Sequence, residues 1–570
     1  MDDELRERVE REAEKHALLN AVKHDSDADV GAIMGPLMGE NPDFRQHGGE
    51  IPGLIGPVVA NVNQLSAADK RERLEELAPE ELAEMEAEDE EDDALLPDLP
   101  NADDYDEIRM RAAPNPNGPW HLGHARMPAV IGTYKEMYDG SFIVRFDDTD
   151  PETKRPDMSA YDAILEDIAF LGFEPDDVIR ASDRVETYYD YARDLIEMGG
   201  AYTCSCSGEE FSNLKNNAKP CPHRDKDSET TLEEFEDMVA GEYSSGEMVL
   251  RVRTDIEHKN PALRDWVAFR MIDTPHPRPE AEEYRAWPML DFQSGVDDHL
   301  TGVTHIIRGI DLQDSAKRQQ FVYDYFGWAY PEVIHWGHVQ VDDYDVKMST
   351  SSIKELIDAG ELDGWDDPRV PTIKSLRRRG IRGQAIVDAM VALGTSTSNV
   401  DLSMSSIYAN NRDLVDDETD RYFFVRNGAE FAIEGGPDVA HPPLHPSFED
   451  RGTRDIPVGD SVLLESGDVP AEGERVWLKG FGAVRRDGET LVATGDDLDV
   501  VREGDVAVIH WAPTDGVSVR MRTMHEDVLG VAEPDFGDVP VDELVQFERV
   551  GFVRVDERGS DETLVYFAHK

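Results

Sequence analysis

Arg111-Ala-Ala-Pro-Asn-Pro-Asn-Gly-Pro-Trp-His-Leu-Gly-His-Ala-Arg126 is the stretch around which the chain is organised. Pro114, Pro116 and Pro119 fix φ and hold the residues before them extended, while Gly118 permits a backbone that other residues avoid, so no helix begins before His121. Beyond it Leu122, Ala125, Met127, Val130, Ile131 and Tyr134 recur at helical spacing. The segment Asn115-Pro-Asn-Gly-Pro-Trp-His-Leu-Gly-His-Ala125 therefore predicts a loop that delivers Gly118, His121, Gly123 and His124 to a helix N-terminus. Unpaired N–H groups and the positive end of the helix dipole favour a phosphate there, which makes this a nucleotide site. Two ordinary first-turn histidines are the competing reading.

Downstream, Val346-Lys347-Met348-Ser349-Thr350-Ser351 sets one lysine between small hydroxyl donors, in a chain where only 15 of 57 basic residues are lysine. A mobile point charge beside Ser349 and Ser351 suits a pyrophosphate leaving group, because charge growing on that group is stabilised electrostatically. Between these two loops the pattern alternates strand and helix. Residues 141–146 form an apolar strand that runs into Asp147-Asp148-Thr149-Asp150, and amphipathic helices follow at 157–171 and 183–198. Strand, crossover helix and strand imply a parallel sheet, whose ligands bind at the C-terminal ends of the strands.

All three cysteines fall within 18 positions, as Cys204-Ser-Cys206 and Cys221-Pro-His223. A CxC loop facing a CxH loop offers zinc four ligands, Cys204, Cys206, Cys221 and His223, and leaves no open position for catalysis. Small buried cysteines beside a surface histidine are the alternative. So few cysteines exclude a disulfide framework and point to a reducing compartment. Strands are expected at 248–253 and 265–271, and a largely helical stretch from 356 to 409. Arg377, Arg378, Arg379 and Arg382 make its densest basic cluster, read as a contact for RNA phosphates. From about residue 422 the period switches to two and Gly/Asp turns multiply, which predicts antiparallel β-barrels.

The balance of 57 basic against 122 acidic residues leaves a net charge of −65. The acid is spread over helices, loops and C-terminal strands rather than gathered in a tail. Such a surface is tolerable in molar salt, where the Debye length falls to about 3 Å, so a halophilic cytoplasm is expected. No window reaches about 18 apolar residues, so no membrane span is expected. The acidic, helical N-terminus is unlike a secretion signal.

HLGH at 121–124 followed by KMSTS at 347–351 resembles the paired HIGH and KMSKS signatures of class I aminoacyl-tRNA synthetases. With RAAPNPNGPWHLGHAR, RFDDTDPET and GVDDHLTGVTHIIRG in order around them, the chain resembles glutamyl-tRNA synthetases of the archaeal type. The resemblance implies a doubly wound, Rossmann-like catalytic domain in two halves, 101–200 and 286–355. A zinc-bearing insertion (201–285) would split them, with a helical connection (356–415) and a β-barrel anticodon-binding region (416–570) after them. Bacterial glutamyl enzymes carry helical anticodon domains instead. Residues 1–100, a helical appendage closed by the acidic run 86–93, match nothing in the shorter bacterial enzymes; a tRNA-contacting element and a packing module are both open.

The activity implied is ATP-dependent attachment of L-glutamate to tRNA(Glu) through glutamyl-adenylate, with Mg²⁺ on the phosphates and release of AMP and diphosphate. Relaxed charging of tRNA(Gln) and a monomeric state are expected as well. By the resemblance His121, His124 and Lys347 handle ATP, Asp147 holds the substrate ammonium, and Arg111 meets an anionic group of glutamate. Arg308, in Gly302-Val-Thr-His-Ile-Ile-Arg308, stands where such glutamyl enzymes place an arginine for the side-chain carboxylate. The family's frequent pocket tyrosine is Leu290 here, and no role is carried to it. The rivals are a glutaminyl-tRNA synthetase, separated by pocket charge, and a silent tRNA-binding paralogue, disfavoured by intact His121, His124 and Lys347. A short enzyme modifying queuosine would lack the C-terminal strands.

Overall fold

The structure is a computed structural model that describes residues 3–23, 28–41, 43–44, 50–79, 81–82, 95–341, 343–496, 501 and 506–570. The chain divides into two compact units, Met1–Pro97 and Asp98–Lys570. The expected acidic linker at 86–93 lies outside the described residues.

The first unit is helical, with helices Asp3–Lys23, Val30–Glu40, Ile51–Asn63 and Ala67–Leu77 around its own core of Val9, Ala13, Ile33, Leu37, Ile55, Val59 and Leu74. Pro36 and Pro57, each preceded by a glycine, sit inside helices. A proline removes one helical hydrogen bond. Burial of Ile51, Ile55, Val59 and Val62 along one face outweighs that loss, as most helix stability in proteins comes from the packed face.

In the second unit nine strands follow in order: β1 (Arg109–Ala112), β2 (Ser141–Phe146), β3 (Asp177–Arg180), β4 (Ala201–Cys204), β5 (Val249–Val252), β6 (Val267–Met271), β7 (Ala286–Pro288), β8 (His305–Gly309) and β9 (Glu332–Trp336). Five of them form a parallel sheet in the order β3-β2-β1-β8-β9. Helices Leu122–Tyr138, Met158–Phe170 and Gln313–Phe326 make the crossovers. All six residues of β2 are buried, as expected for a strand covered on both faces. The intervening strands form a separate antiparallel sheet, β4-β5-β6-β7.

After helices Thr350–Asp358, Ile373–Arg379, Gly383–Val391 and Met404–Val415 the chain builds two seven-stranded sheets, each with its own apolar core. They are mixed rather than purely antiparallel: Ala429–Glu434 pairs parallel with Thr490–Gly495, and Val517–Arg522 with Thr563–His569. Alternation and turn density reveal strands, but pairing direction depends on which strands meet after a long connection, which local pattern does not encode. Among the described residues no helix is long and apolar enough to cross a membrane.

Candidate active site

β1 and β8 are neighbours whose crossovers leave in opposite directions, so the strand order reverses between them. At such a switch point the loops beyond the strand ends part and open a crevice. A cleft of about 500 Å³ lies there, lined among others by Arg111 of β1, Arg145 and Asp147 at the end of β2, Arg308 of β8, Ser294 and Gln319.

The floor of the cleft is a charge network. Arg111 forks Nε and Nη2 onto the two oxygens of Asp298 at 3.0 and 3.1 Å. Arg145 donates from Nη1 to Asp298 at 2.6 Å and from Nε to Asp147 at 2.7 Å. Burial works against the Asp298 carboxylate, but the Arg111 and Arg145 guanidiniums overcome it and draw its pKa down to about 2. For Asp147 burial prevails, and its pKa lies above the ordinary value although Arg145, Arg111 and Gln293 oppose the rise. Gln293 bridges Asp147 and Asp297, and Asp297 also accepts from Arg184 Nε at 2.7 Å and the Tyr188 hydroxyl at 2.6 Å.

Arg308 differs from these. It is 7% exposed, its Nε has no partner, and its Nη1 donates at 3.2 Å to the neutral side-chain oxygen of Gln319. Burial and the nearby Arg111 lower its pKa. Among the described residues no carboxylate forms an ion pair with it. A buried cation without a counter-ion costs free energy that an anionic ligand can offset.

The proline-rich loop is tied to the end of β2: Asp147 N donates to Pro114 O and Asn115 Nδ2 to Asp147 O, each at 2.9 Å. His121 occupies the N-cap of helix Leu122–Tyr138, as the loop chemistry requires. Its ring stacks on His124 at 3.8 Å between centroids, and Nδ1 of both is buried without a partner. Burial pushes His121 down to about 4, while burial and the neighbouring His121 hold His124 well below its ordinary value, so both imidazoles are neutral near pH 7.

The lysine loop is packed against this turn. A Cβ on Gly118 would lie 2.6 Å from Thr350 Cγ2, and one on Gly123 would lie 3.0 Å from Met348 Cε, so both glycines make room for it. Ser349 is the N-cap residue of helix Thr350–Asp358 and its hydroxyl lies 3.1 Å from that of Ser351. Lys347 is exposed and, among the described residues, forms no ion pair. Two neutral imidazoles, each with an unpartnered Nδ1, thus sit in the turn against which the loop carrying Lys347 is packed.

Cys204, Cys206, Cys221 and His223 converge, with all ligand atoms within 4.8 Å of one another. Cys204 Sγ stands 3.8 Å from Cys221 Sγ, and Cys206 Sγ 3.5 Å from His223 Nδ1. Zinc bonds of about 2.3 Å to sulfur and 2.0–2.1 Å to nitrogen give tetrahedral edges of about 3.8 and 3.5 Å, so the donor set fits the metal. His223 Nε2 lies 3.2 Å from Ser205 Oγ, the kind of outer partner that orients a ligating ring.

One expectation is corrected. Arg379 is 1% exposed and donates to the carbonyls of Phe567 and Ala568 and to the hydroxyls of Tyr344 and Tyr408. Arg378 pairs with Asp556 and Asp366. These two join the helical connection to the C-terminal strands rather than face RNA; Arg377 and Arg382 remain exposed. Successive helical residues point about 100° apart, so a basic run cannot lie wholly on one face. Sequence reading also passed over Arg145, Gln293, Asp297, Asp298, Gln319 and Tyr330. Arg145 stands as a charge inside an otherwise apolar strand, and Asp297 and Asp298 fall within the GVDDHLTGVTHIIRG stretch, but neither signal assigns these residues a role.

With this geometry in view, the chain belongs to the class I tRNA synthetases of the E and Q type: the model of their catalytic domain matches residues 107–417 and that of their anticodon-binding domain residues 419–501. It is similar over the whole length of both chains to the glutamate–tRNA ligases of Natronomonas pharaonis, at 70% identity, and Haloarcula marismortui, at 69%. The glutamate–tRNA ligase of Methanosarcina acetivorans is 45% identical over 98% of each chain.

Proposed function

We infer that the chain attaches L-glutamate to tRNA(Glu) using ATP, and that the observation carrying this reading within its family is the unpaired charge of Arg308. The α-carboxylate of glutamate attacks the α-phosphate of ATP, forming glutamyl-adenylate and releasing diphosphate. A ribose hydroxyl of the terminal tRNA adenosine then takes the glutamyl group and AMP leaves. Little covalent work falls to the protein, so positioning and charge stabilisation carry the rate.

Arg308 receives the side-chain carboxylate. Glutamate and glutamine are nearly isosteric, but an amide turns a donor toward a cation, whereas a carboxylate offers it two acceptors. Asp147 takes the substrate ammonium with the oxygen lone pairs that Arg145 and Gln293 leave. Arg111, with its fork on Asp298, contributes through its remaining Nη1. Gly118 and Gly123 let the turn close on the phosphates, and His121 and His124 meet the nucleotide as neutral rings. Lys347 follows the charge that develops on the departing diphosphate, with Ser349 and Ser351 as donors. The nucleotide enters as its Mg²⁺ complex, which supplies neutralisation along the phosphates.

Cys204, Cys206, Cys221 and His223 hold a structural zinc that clamps the two loops of the insertion. Protein purified without chelator should carry about one equivalent of zinc by metal analysis, and Cys206→Ala well below that; a metal-free wild-type chain rules the clamp out. The mixed sheets from residue 419 onward take the anticodon stem, and the working unit is one chain in a salt-rich cytoplasm. The decisive experiment is aminoacylation in molar KCl with purified tRNA(Glu) and tRNA(Gln), each offered glutamate and glutamine. Glutamate should be attached to tRNA(Glu), and to tRNA(Gln) as well. Transfer of glutamine in its place would overturn the reading.

A further inference from the structure

Around the cleft Arg111, Arg145, Arg184, Arg270 and Arg318 each reach a carboxylate within 3.0 Å. Arg308 alone is held by an amide. That amide belongs to Gln319, 1% exposed on helix Gln313–Phe326. Its Oε1 accepts from Arg308 Nη1 at 3.2 Å and from the Tyr330 hydroxyl at 2.7 Å, while Nε2 donates to Ser294 Oγ. The orientation of the amide is dictated by its partners: a guanidinium has only donors, so the oxygen must face it and the NH₂ must turn to Ser294. Burial raises the Tyr330 hydroxyl to about 12, which keeps it a donor as well.

We propose that Gln319 is a specificity-positioning residue, a neutral acceptor that fixes the Arg308 fork at the cleft without neutralising it. Two requirements conflict at this point. A long arginine must be held still to form a bidentate pair with a carboxylate, and the strongest holder available to a protein is another carboxylate. A carboxylate there would satisfy the cation internally and leave nothing for glutamate to complete. An amide oxygen supplies the geometry and withholds the charge, and its own placement is secured from two further sides by Tyr330 and Ser294. The shape difference between Gln and Glu is negligible, so the selection at position 319 is for charge. The proposal rests on Arg308 meeting the substrate's side-chain carboxylate.

The test uses the full chain with Gln319→Glu, Gln319→Met and, as a control on the underlying reading, Arg308→Ala. Charging of tRNA(Glu) is followed in molar KCl with glutamate and with glutamine, and KM is taken separately for glutamate and for ATP. Gln319→Glu should raise KM for glutamate about tenfold to a hundredfold, the worth of one charge-assisted bond, leave KM for ATP unchanged and narrow the preference for glutamate over glutamine. Gln319→Met keeps the pocket charge but frees the fork, so KM for glutamate should rise several-fold while the preference survives. The methionine variant carries the test if the glutamate variant does not fold. Wild-type values in either folded variant overturn the proposal, as does a parallel rise of both KM values, which marks a merely structural side chain. Arg308→Ala separates the two ideas: if it abolishes discrimination while the Gln319 variants behave as wild type, only the role of Gln319 is lost. If Arg308→Ala keeps discrimination, the reading beneath it fails.

Discussion

Arg379 and Arg308 are both buried cations, yet they are buried on opposite terms. Arg379 comes from the densest basic run of an acidic chain and is surrounded by two carbonyls and two hydroxyls supplied by the protein itself. Arg308 stands alone in an apolar strand and is met by one neutral oxygen. The contrast teaches that density of charge in sequence is a poor guide to where a charge acts. What matters is whether the fold has already satisfied it.

The comparison is broken most forcefully at Arg379. Arg379→Met fills the volume but orphans several buried acceptors, each worth about 1–3 kcal/mol, so unfolding in molar salt should show a loss of about 4 kcal/mol or more. Selectivity between amino acids should not move. A variant as stable as wild type but defective in tRNA binding would return the cluster to the RNA-contacting role first read from the sequence. Lys347 is the third kind of cation, exposed and, among the described residues, in no ion pair. Lys347→Ala should slow adenylate formation by the equivalent of about 3 kcal/mol, with little change in glutamate binding, because its partner charge grows toward the transition state. Pyrophosphate exchange at the wild-type rate speaks against that assignment.

His121 sharpens the comparison further, since a buried imidazole can surrender its proton where a guanidinium cannot. Its pKa falls from 6.5 to about 4 on folding. The folded state therefore binds fewer protons than the unfolded chain between these values. The stability contributed by the neutral ring is present above about pH 6.5 and is lost as pH falls toward 4. Histidine-selective NMR, assigned with a His121→Asn variant, should find the ring neutral at pH 6; a titration near 6.5 contradicts its burial.

Much of the site was legible before the fold. Prolines and glycines fix where helix Leu122–Tyr138 can begin, and β2 with the acidic turn after it is evident from an apolar run ending in carboxylates. Those are local constraints, and local constraints survive in sequence. Asp297 and Asp298 were not legible, because residues 291–298 are buried throughout a helix and so leave no amphipathic period. Gln319 and Tyr330 acquire meaning only from their approach to Arg308, a contact between separate elements. The basic cluster misled for the same reason: its composition was plain, but the faces of its helix were set by strands whose contacts lie 178 to 189 residues downstream.

The central claim is that the charge of Arg308 is left for the substrate, and it is tested most directly by measuring kcat/KM for glutamate and glutamine with wild type and Arg308→Gln, alongside thermal unfolding. The account predicts that discrimination falls roughly tenfold to a hundredfold while stability holds or rises, since an unpaired buried cation is removed. Unchanged discrimination together with a large loss of stability would contradict it, because Arg308 would then be serving the fold as Arg379 does.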